Sequence, residues 1–278
     1  MHTAEISGLT IYPVKSMHGI ALESAELTLH GLQNDRRFMV VRANGRFVTQ
    51  RDLSRLALVQ TSLDEDGIVL SMDGHGSVTV PFKQADGERI HTKVWGDECE
   101  TVDQGAGISR WLTSALESSG TLKLVRMAPG FVRPQSQPEN LGTKTTTHFA
   151  DAAPFLVANE SSLEVLNQEL ETRGHNTVPM NRFRPNIVVR GLAPFAEHEI
   201  AELSSENYRL GLCHPCERCV VTTIDQATGI KNPDRQPFRT LGEINPMPGT
   251  ERSPAFAQNA ILEEGEGQTM ALGDRLGV

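Results

Sequence analysis

The chain has 278 residues, with 26 basic and 35 acidic side chains and a net charge of −9, a balance that argues against a generic nucleic-acid binder. Hydrophobic residues make up 38% and charged residues 22%, which excludes a disordered chain and leaves room for one large domain or two modest ones. No stretch approaches the roughly 20 apolar residues of a membrane helix, and four cysteines are too few for a disulfide scaffold.

The N-terminus, Met1 to Glu5, lacks the basic and apolar regions of a signal peptide, so a cytoplasmic protein with no membrane partner is expected. Ile6 to Tyr12 is a short apolar run closed by Pro13. Phe38 to Val41 leads through Asn44-Gly45 to Phe47-Val48, a hairpin signal in which both turn residues are expected at positive φ. Ile68 to Met72, Asp73-Gly74 and the alternating Val78, Val80 and Phe82 predict a second hairpin. Ile108, Trp111, Leu112, Ala115 and Leu116 form one apolar stripe at helical spacing. From Pro129 to Thr147 the chain is poor in apolar residues and has no period, and it reads as a linker or long loop. Ser161 and Glu164 are placed as a capping box for a helix that carries Leu163, Leu166 and Leu170 on one face. Ile187 to Val189 predicts a buried strand, and from Ile200 onward short strand-like runs alternate with Gly and Pro turns. The expected architecture is mostly β with a few helices (α+β) and barrel-like.

Two local features bear on function. Between Arg36 and Arg55 stand six arginines (Arg36, Arg37, Arg42, Arg46, Arg51, Arg55) and one acid, Asp52, a local charge of +5 in an acidic protein. This island suits either an anionic ligand or a solvated hairpin face. Cys213, Cys216 and Cys219 stand at two-residue intervals, with Cys99 far away in sequence. Zinc usually takes two separated ligand pairs, and a bacterial iron–sulfur run needs a further cysteine where Thr223 stands. Buried free thiols, or one thiolate activated by Arg218, remain open on spacing alone.

Extended, the cysteine segment reads Cys216-Glu217-Arg218-Cys219 through Ile224-Asp225 to Thr228-Gly229, and it resembles the C-terminal signature of the MOSC (molybdenum cofactor sulfurase C-terminal) family. Three further segments agree in order: Tyr12-Pro13-Val14-Lys15-Ser16, Gly31-Leu32 through Asp35-Arg36-Arg37-Phe38, and Asn181-Arg182-Phe183-Arg184-Pro185-Asn186-Ile187. The nearest branch is that of the mitochondrial amidoxime reducing component and its bacterial homologues. The resemblance implies an N-terminal β-barrel-like domain over residues 1–125, a linker over 126–147, and a β-barrel MOSC domain over 148–278, packed together with the cofactor cleft between them.

It further implies a molybdenum–molybdopterin cofactor with Cys219 as the protein's thiolate ligand to the metal. Lys15, Ser16, Arg37, Arg182, Arg184, Asn186 and Arg218 would hold the pterin and its phosphate, and Asp151 would stand near the metal as a proton shuttle. His148 and His214 are further candidate proton donors. Two departures from the family stand out, an acid at Glu217 and Ala153 where a serine is usual. The implied activity is reduction of N-hydroxylated compounds such as hydroxylamines, amidoximes and N-hydroxy bases. A fused iron–sulfur domain is not expected, and a separate ferredoxin- or cytochrome b5-like partner is expected to supply electrons. The alternative is sulfur or cofactor transfer, with Cys219 as persulfide carrier or ligand. The sulfurases' aminotransferase-like domain is not expected, so neither is bound pyridoxal phosphate.

Overall fold

The computed structural model describes residues 3–83, 87–134 and 137–278. The chain is mostly β, with four α-helices among the described residues. Seven strands close into a barrel in the order Ile187–Arg190, Phe155–Asn159, Ala255–Glu264, Arg209–Glu217, Glu202–Ser204, Arg275–Gly277 and Thr3–Ile11, with Thr3–Ile11 pairing back onto Ile187–Arg190. Closure removes the exposed sheet edges that would otherwise recruit other chains. Phe155–Asn159 and Ile187–Arg190 run parallel, a pairing that needs a crossover, and the helix Glu160–Thr172 provides it.

The N-terminal strand shows how local irregularity serves the core. Ala4 and Ile6 are buried, the alternation then slips at a bulge between Ile6 and Gly8, and Leu9 and Ile11 are buried in the new phase. Without that slip Leu9 and Ile11 would face the outside of the barrel, because strand side chains alternate with period two. They pack instead with Phe155, Val157, Ile187 and Leu276.

A second body is built from residues 38–127. Phe38–Arg42, Leu122–Met127, Asp97–Asp103 and Arg89–Val94 form one sheet, and Gln60–Asp64, Gly67–Met72 and Gly76–Pro81 another. The helix Ala106–Ala115 buries Ile108, Leu112 and Ala115 against Val40, Leu56 and Leu124. Hydrogen bonding crosses the division expected at residue 125. Thr3–Ile11 lies in the C-terminal barrel, and Ser24–Thr28 pairs with Thr269–Ala271.

Both predicted hairpins form, with one difference in the first. Only Gly45 takes positive φ (81°), and its N–H donates to Arg42 O, so the turn is a longer one with glycine as the bulge residue. The helix after Phe155–Asn159 starts earlier than Ser161 and Glu164 suggest: the cap is Asn159, whose side chain accepts from the Ser161 N–H. Asn159 is buried and also bonds Ala193 O and Glu197, which holds the strand and the cap together.

The segment expected as a linker is tied down. Arg133 is buried, gives Nε to Asp97 at 2.8 Å, and gives Nη1 to Ala150 O at 2.6 Å. Gln135 and Ser136 lie outside the described residues. The described residues contain no helix long and apolar enough to cross a membrane.

Candidate functional site

The strand Arg209–Glu217 ends at the mouth of a cleft between the barrel and the second body. After Glu217 the chain leaves the sheet, with the Arg218 N–H on Pro254 O, and a short 3-10 turn begins directly after Cys219. The turn is closed by Thr222, whose N–H and hydroxyl both donate to Cys219 O. This sharp exit leaves the Cys219 thiol exposed in the cleft wall.

The cleft is a cavity of about 120 Å³ that opens to solvent. Lys15, Arg36 and Arg51 line it from the N-terminal part of the chain, and Arg184, Arg218 and Cys219 from the C-terminal part. Ser16, Asn186, Asp151 and Ala153 complete the parts of its wall singled out in the sequence.

Each cation is held by the fold. Lys15 is buried and gives Nζ to Phe149 O at 2.8 Å and to Asp151 Oδ1 at 2.5 Å. Burial pushes the ammonium pKa down, and the Asp151 charge opposes that shift. Arg184, in left-handed backbone at φ 55°, gives Nη1 to Met17 O at 2.7 Å. Its guanidinium lies 4.1 Å from the Tyr12 ring centre, with Arg36 at 4.4 Å from the same ring. Burial lowers the Arg184 pKa to about 10, which still leaves it charged at neutral pH. Arg36 forms an ion pair with Asp35 and gives Nη2 to Arg184 O.

At the thiols the partners differ from the sequence expectation. Arg218 gives Nη1 to Cys216 Sγ at 2.9 Å, whereas Arg51 gives Nη1 to Cys219 Sγ at 3.3 Å. Arg51 is fixed from two sides. Its guanidinium stacks 4.5 Å from the Trp95 ring, and the preceding Gln50 forms a reciprocal amide pair with Gln226, both buried. That pair fastens the Arg51 loop to the segment that follows Cys219. Trp95 also gives Nε1 to Asp151 Oδ1 at 3.0 Å and packs edge-on against Phe47.

Burial would raise the Asp151 pKa, but the Lys15 charge, with hydrogen bonds from Lys15 and Trp95, holds the carboxyl well below the usual range. Asp151 is therefore ionised at neutral pH and accepts, rather than donates, a hydrogen bond there. Its expected task, to position a metal-bound water or shuttle a proton, would therefore start from the carboxylate form paired with Lys15.

Several predicted residues stand outside the cleft or are already engaged within the fold. Arg182 is buried one layer behind the cleft, where its Nη2 pairs with Asp225 at 2.7 Å and braces the turn after Cys219. Asn186 gives Nδ2 to Thr10 O and accepts from the Leu156 N–H, so it holds barrel strands together at the cleft wall. Arg37 lines a different pocket, with Arg126. Glu217 is exposed and does not line the cleft. His214 bonds Asn259 at 3.1 Å, and burial lowers its pKa.

His148 stacks on His30 with ring centres 4.5 Å apart. Burial first, then the charges of Arg37, His30 and Arg126, push its pKa from 6.5 to about 3. The unfolded state thus binds the proton first, and stability is lost as pH falls from about 6.5 toward 3. His148→Gln is expected to flatten that acid limb in urea titrations run between pH 7 and about 4. An unchanged slope would mean that other groups carry it.

Arg51 and Trp95 are the site residues that sequence reading does not single out. The +5 island is the signal for Arg51, but nothing in the sequence separates it from five other arginines. The three cysteines diverge in space: Cys213 turns to Gly211 O, Cys216 to Arg218 and Cys219 to Arg51. Among the described residues no three His, Cys, Asp or Glu side chains converge as a metal site.

Residues 3–119 match the MOSC N-terminal beta barrel domain, and residues 144–275 match the MOSC domain. The Homo sapiens mitochondrial amidoxime-reducing component 1 is 33% identical over 270 residues, covering 93% of this chain and 78% of the relative. The Bos taurus mitochondrial amidoxime reducing component 2 is 30% identical over 255 residues, covering 89% and 74%. The Bos taurus molybdenum cofactor sulfurase is 31% identical over 255 residues, covering 86% of this chain and 28% of that longer protein. With both parts matched in order and the relatives aligned over most of its length, the chain belongs to the MOSC family.

Proposed function

We propose that the protein binds a molybdenum–molybdopterin cofactor in the Cys219 cleft and reduces N-hydroxylated compounds. The observation that carries this reading is a single exposed thiol in a cleft walled by five cations drawn from both halves of the chain. A soft thiolate suits molybdenum, and a pterin phosphate suits guanidinium forks.

The donor set fits such a group. Arg218 Nε is buried with no hydrogen-bond partner among the described residues, and an unpaired buried donor is costly unless a ligand satisfies it. Lys15 has three N–H groups, of which two have partners in the chain. When bound, the cofactor supplies the two-electron step in which R–NHOH, two electrons and two protons give R–NH2 and water.

The chain's own residues do the rest. Cys219 provides the protein's sulfur donor, and Arg51 fixes that sulfur through its hydrogen bond. Arg184, Arg36 and Arg218 set the charge of the cleft, and Lys15 holds a proton at Nζ against the Asp151 carboxylate. The half-exposed Trp95 indole, anchored to Asp151 and Arg51, offers a flat apolar face for planar substrates. Electrons come from a separate redox protein, a reading supported by the divergence of the cysteines.

The test is a chemical inventory followed by an assay. The purified chain is expected to carry molybdenum and oxidisable pterin in equal amounts, and to reduce hydroxylamine or benzamidoxime with reduced viologen as donor. Stoichiometric zinc without pterin would end this reading. Bound pterin with no turnover would favour the carrier role, to which the similarity to the Bos taurus molybdenum cofactor sulfurase also points.

A further inference from the structure

Arg36 and Arg37 are consecutive, yet they serve different cavities. Arg36 lines the Cys219 cleft, while Arg37 lines a separate one with Arg126, Asn34, Phe38 and Phe82. Sheet register brings the two arginines together: Arg126 is the antiparallel partner of Phe38, the residue that follows Arg37. The Arg126 guanidinium sits 5.7 Å from the Phe38 ring centre and gives Nη1 to Phe82 O at 2.7 Å.

These two cations are half-buried and, among the described residues, neither has a carboxylate partner. Three other arginines of the same basic island are paired with acids: Arg36 with Asp35, Arg46 with Asp52 and Arg55 with Glu117. Burial lowers the pKa of both Arg37 and Arg126, and the Arg37 charge lowers that of Arg126 further. Two half-buried like charges side by side are unfavourable unless an anion joins them. Guanidinium forks match phosphate geometry, and the cavity of about 360 Å³ exceeds what a bare ion fills.

We propose that the Arg37–Arg126 cavity is a second anion site, which binds a phosphate group either as the free ion or as the head of a small organic phosphate. It is separate from the Cys219 cleft and independent of what that cleft holds. Because Arg37 and Arg36 are adjacent, and the Phe149 N–H donates to Arg36 O, an occupant of this cavity sits one residue away from the cleft wall.

Calorimetric titration of the full chain in chloride buffer, with inorganic phosphate and with adenosine monophosphate, tests this. Saturable one-site binding is expected, weakened at least tenfold in Arg37→Gln and in Arg126→Gln and changed less than twofold in Arg51→Gln. Adenosine monophosphate bound as tightly as phosphate, or more so, identifies an organic phosphate, and phosphate bound alone identifies the free ion. No saturable binding, or loss in Arg51→Gln with retention in Arg37→Gln, overturns the proposal, as does equal weakening in all three. Melting curves guard against misfolding. In phosphate-free buffer Arg37→Gln is expected to melt no lower than wild type, and phosphate should raise the melting temperature of wild type alone. A marked fall in phosphate-free buffer would show that Arg37 has a structural partner and would overturn the site.

Discussion

On the proposed reading, Cys219→Ala is expected to abolish reduction of N-hydroxylated substrates and to lower molybdenum retention by more than about 100-fold, beyond the loss typical of partners that only support a ligand. The geometry sets the contrast. Cys219 is exposed in the cleft, whereas Cys213 is half-buried in the strand, bonds Gly211 O and does not line the cleft. Cys213→Ala is therefore expected to keep most activity and metal. Cys216 lines the cleft but holds Arg218, so Cys216→Ala should fall between the two. Metal content per chain and turnover, measured on the three variants side by side, decide the matter; equal losses at 213 and 219 would contradict a single-sulfur site.

Arg133→Ala is expected to be the most destabilising single change away from the cleft, by about 3–5 kcal/mol, because it strands a buried carboxylate. Arg133 and Asp97 have side chains only 4% and 8% exposed, and both Nε and Nη2 of Arg133 reach Asp97. The same guanidinium holds Thr147, His148 O and Ala150 O, the residues that lead into Asp151. Urea unfolding should show a lower midpoint with little change in slope. Pairing Arg133→Met with Asp97→Leu should recover part of the loss, since no unpaired charge then remains buried. A double variant no more stable than Arg133→Ala would shift the cause to the orphaned carbonyls.

The candidate site was legible where its residues sit in short motifs with little freedom. Lys15-Ser16, Arg184 and Arg218-Cys219 are carried by compact turns and all line the cleft. Neighbours within the same motifs were harder to sort. In Asp35-Arg36-Arg37 the cleft takes Arg36, which sits at φ 45°, and sends Arg37 to another cavity. In Asn181-Arg182-Phe183-Arg184 it takes Arg184 and leaves Arg182 one layer behind on Asp225. Two arginines one or two residues apart have the same chemistry, so only backbone direction separates them. Trp95 and Arg51 carried no motif at all; they become site residues through contacts with Asp151 and Cys219, partners 56 and 168 positions away.

Sequence by itself determined the β-rich class, the hairpins at Gly45 and Gly74, the apolar face of Ala106–Ala115 and the family, because turn chemistry, periodicity and motif order are local properties. Tertiary structure alone decided which strand closes the barrel, which arginine meets which sulfur, and that Asp151 is bound as an anion to Lys15. These outcomes depend on long-range pairing and on the electrostatic setting of buried groups, and both arise only when distant segments pack together.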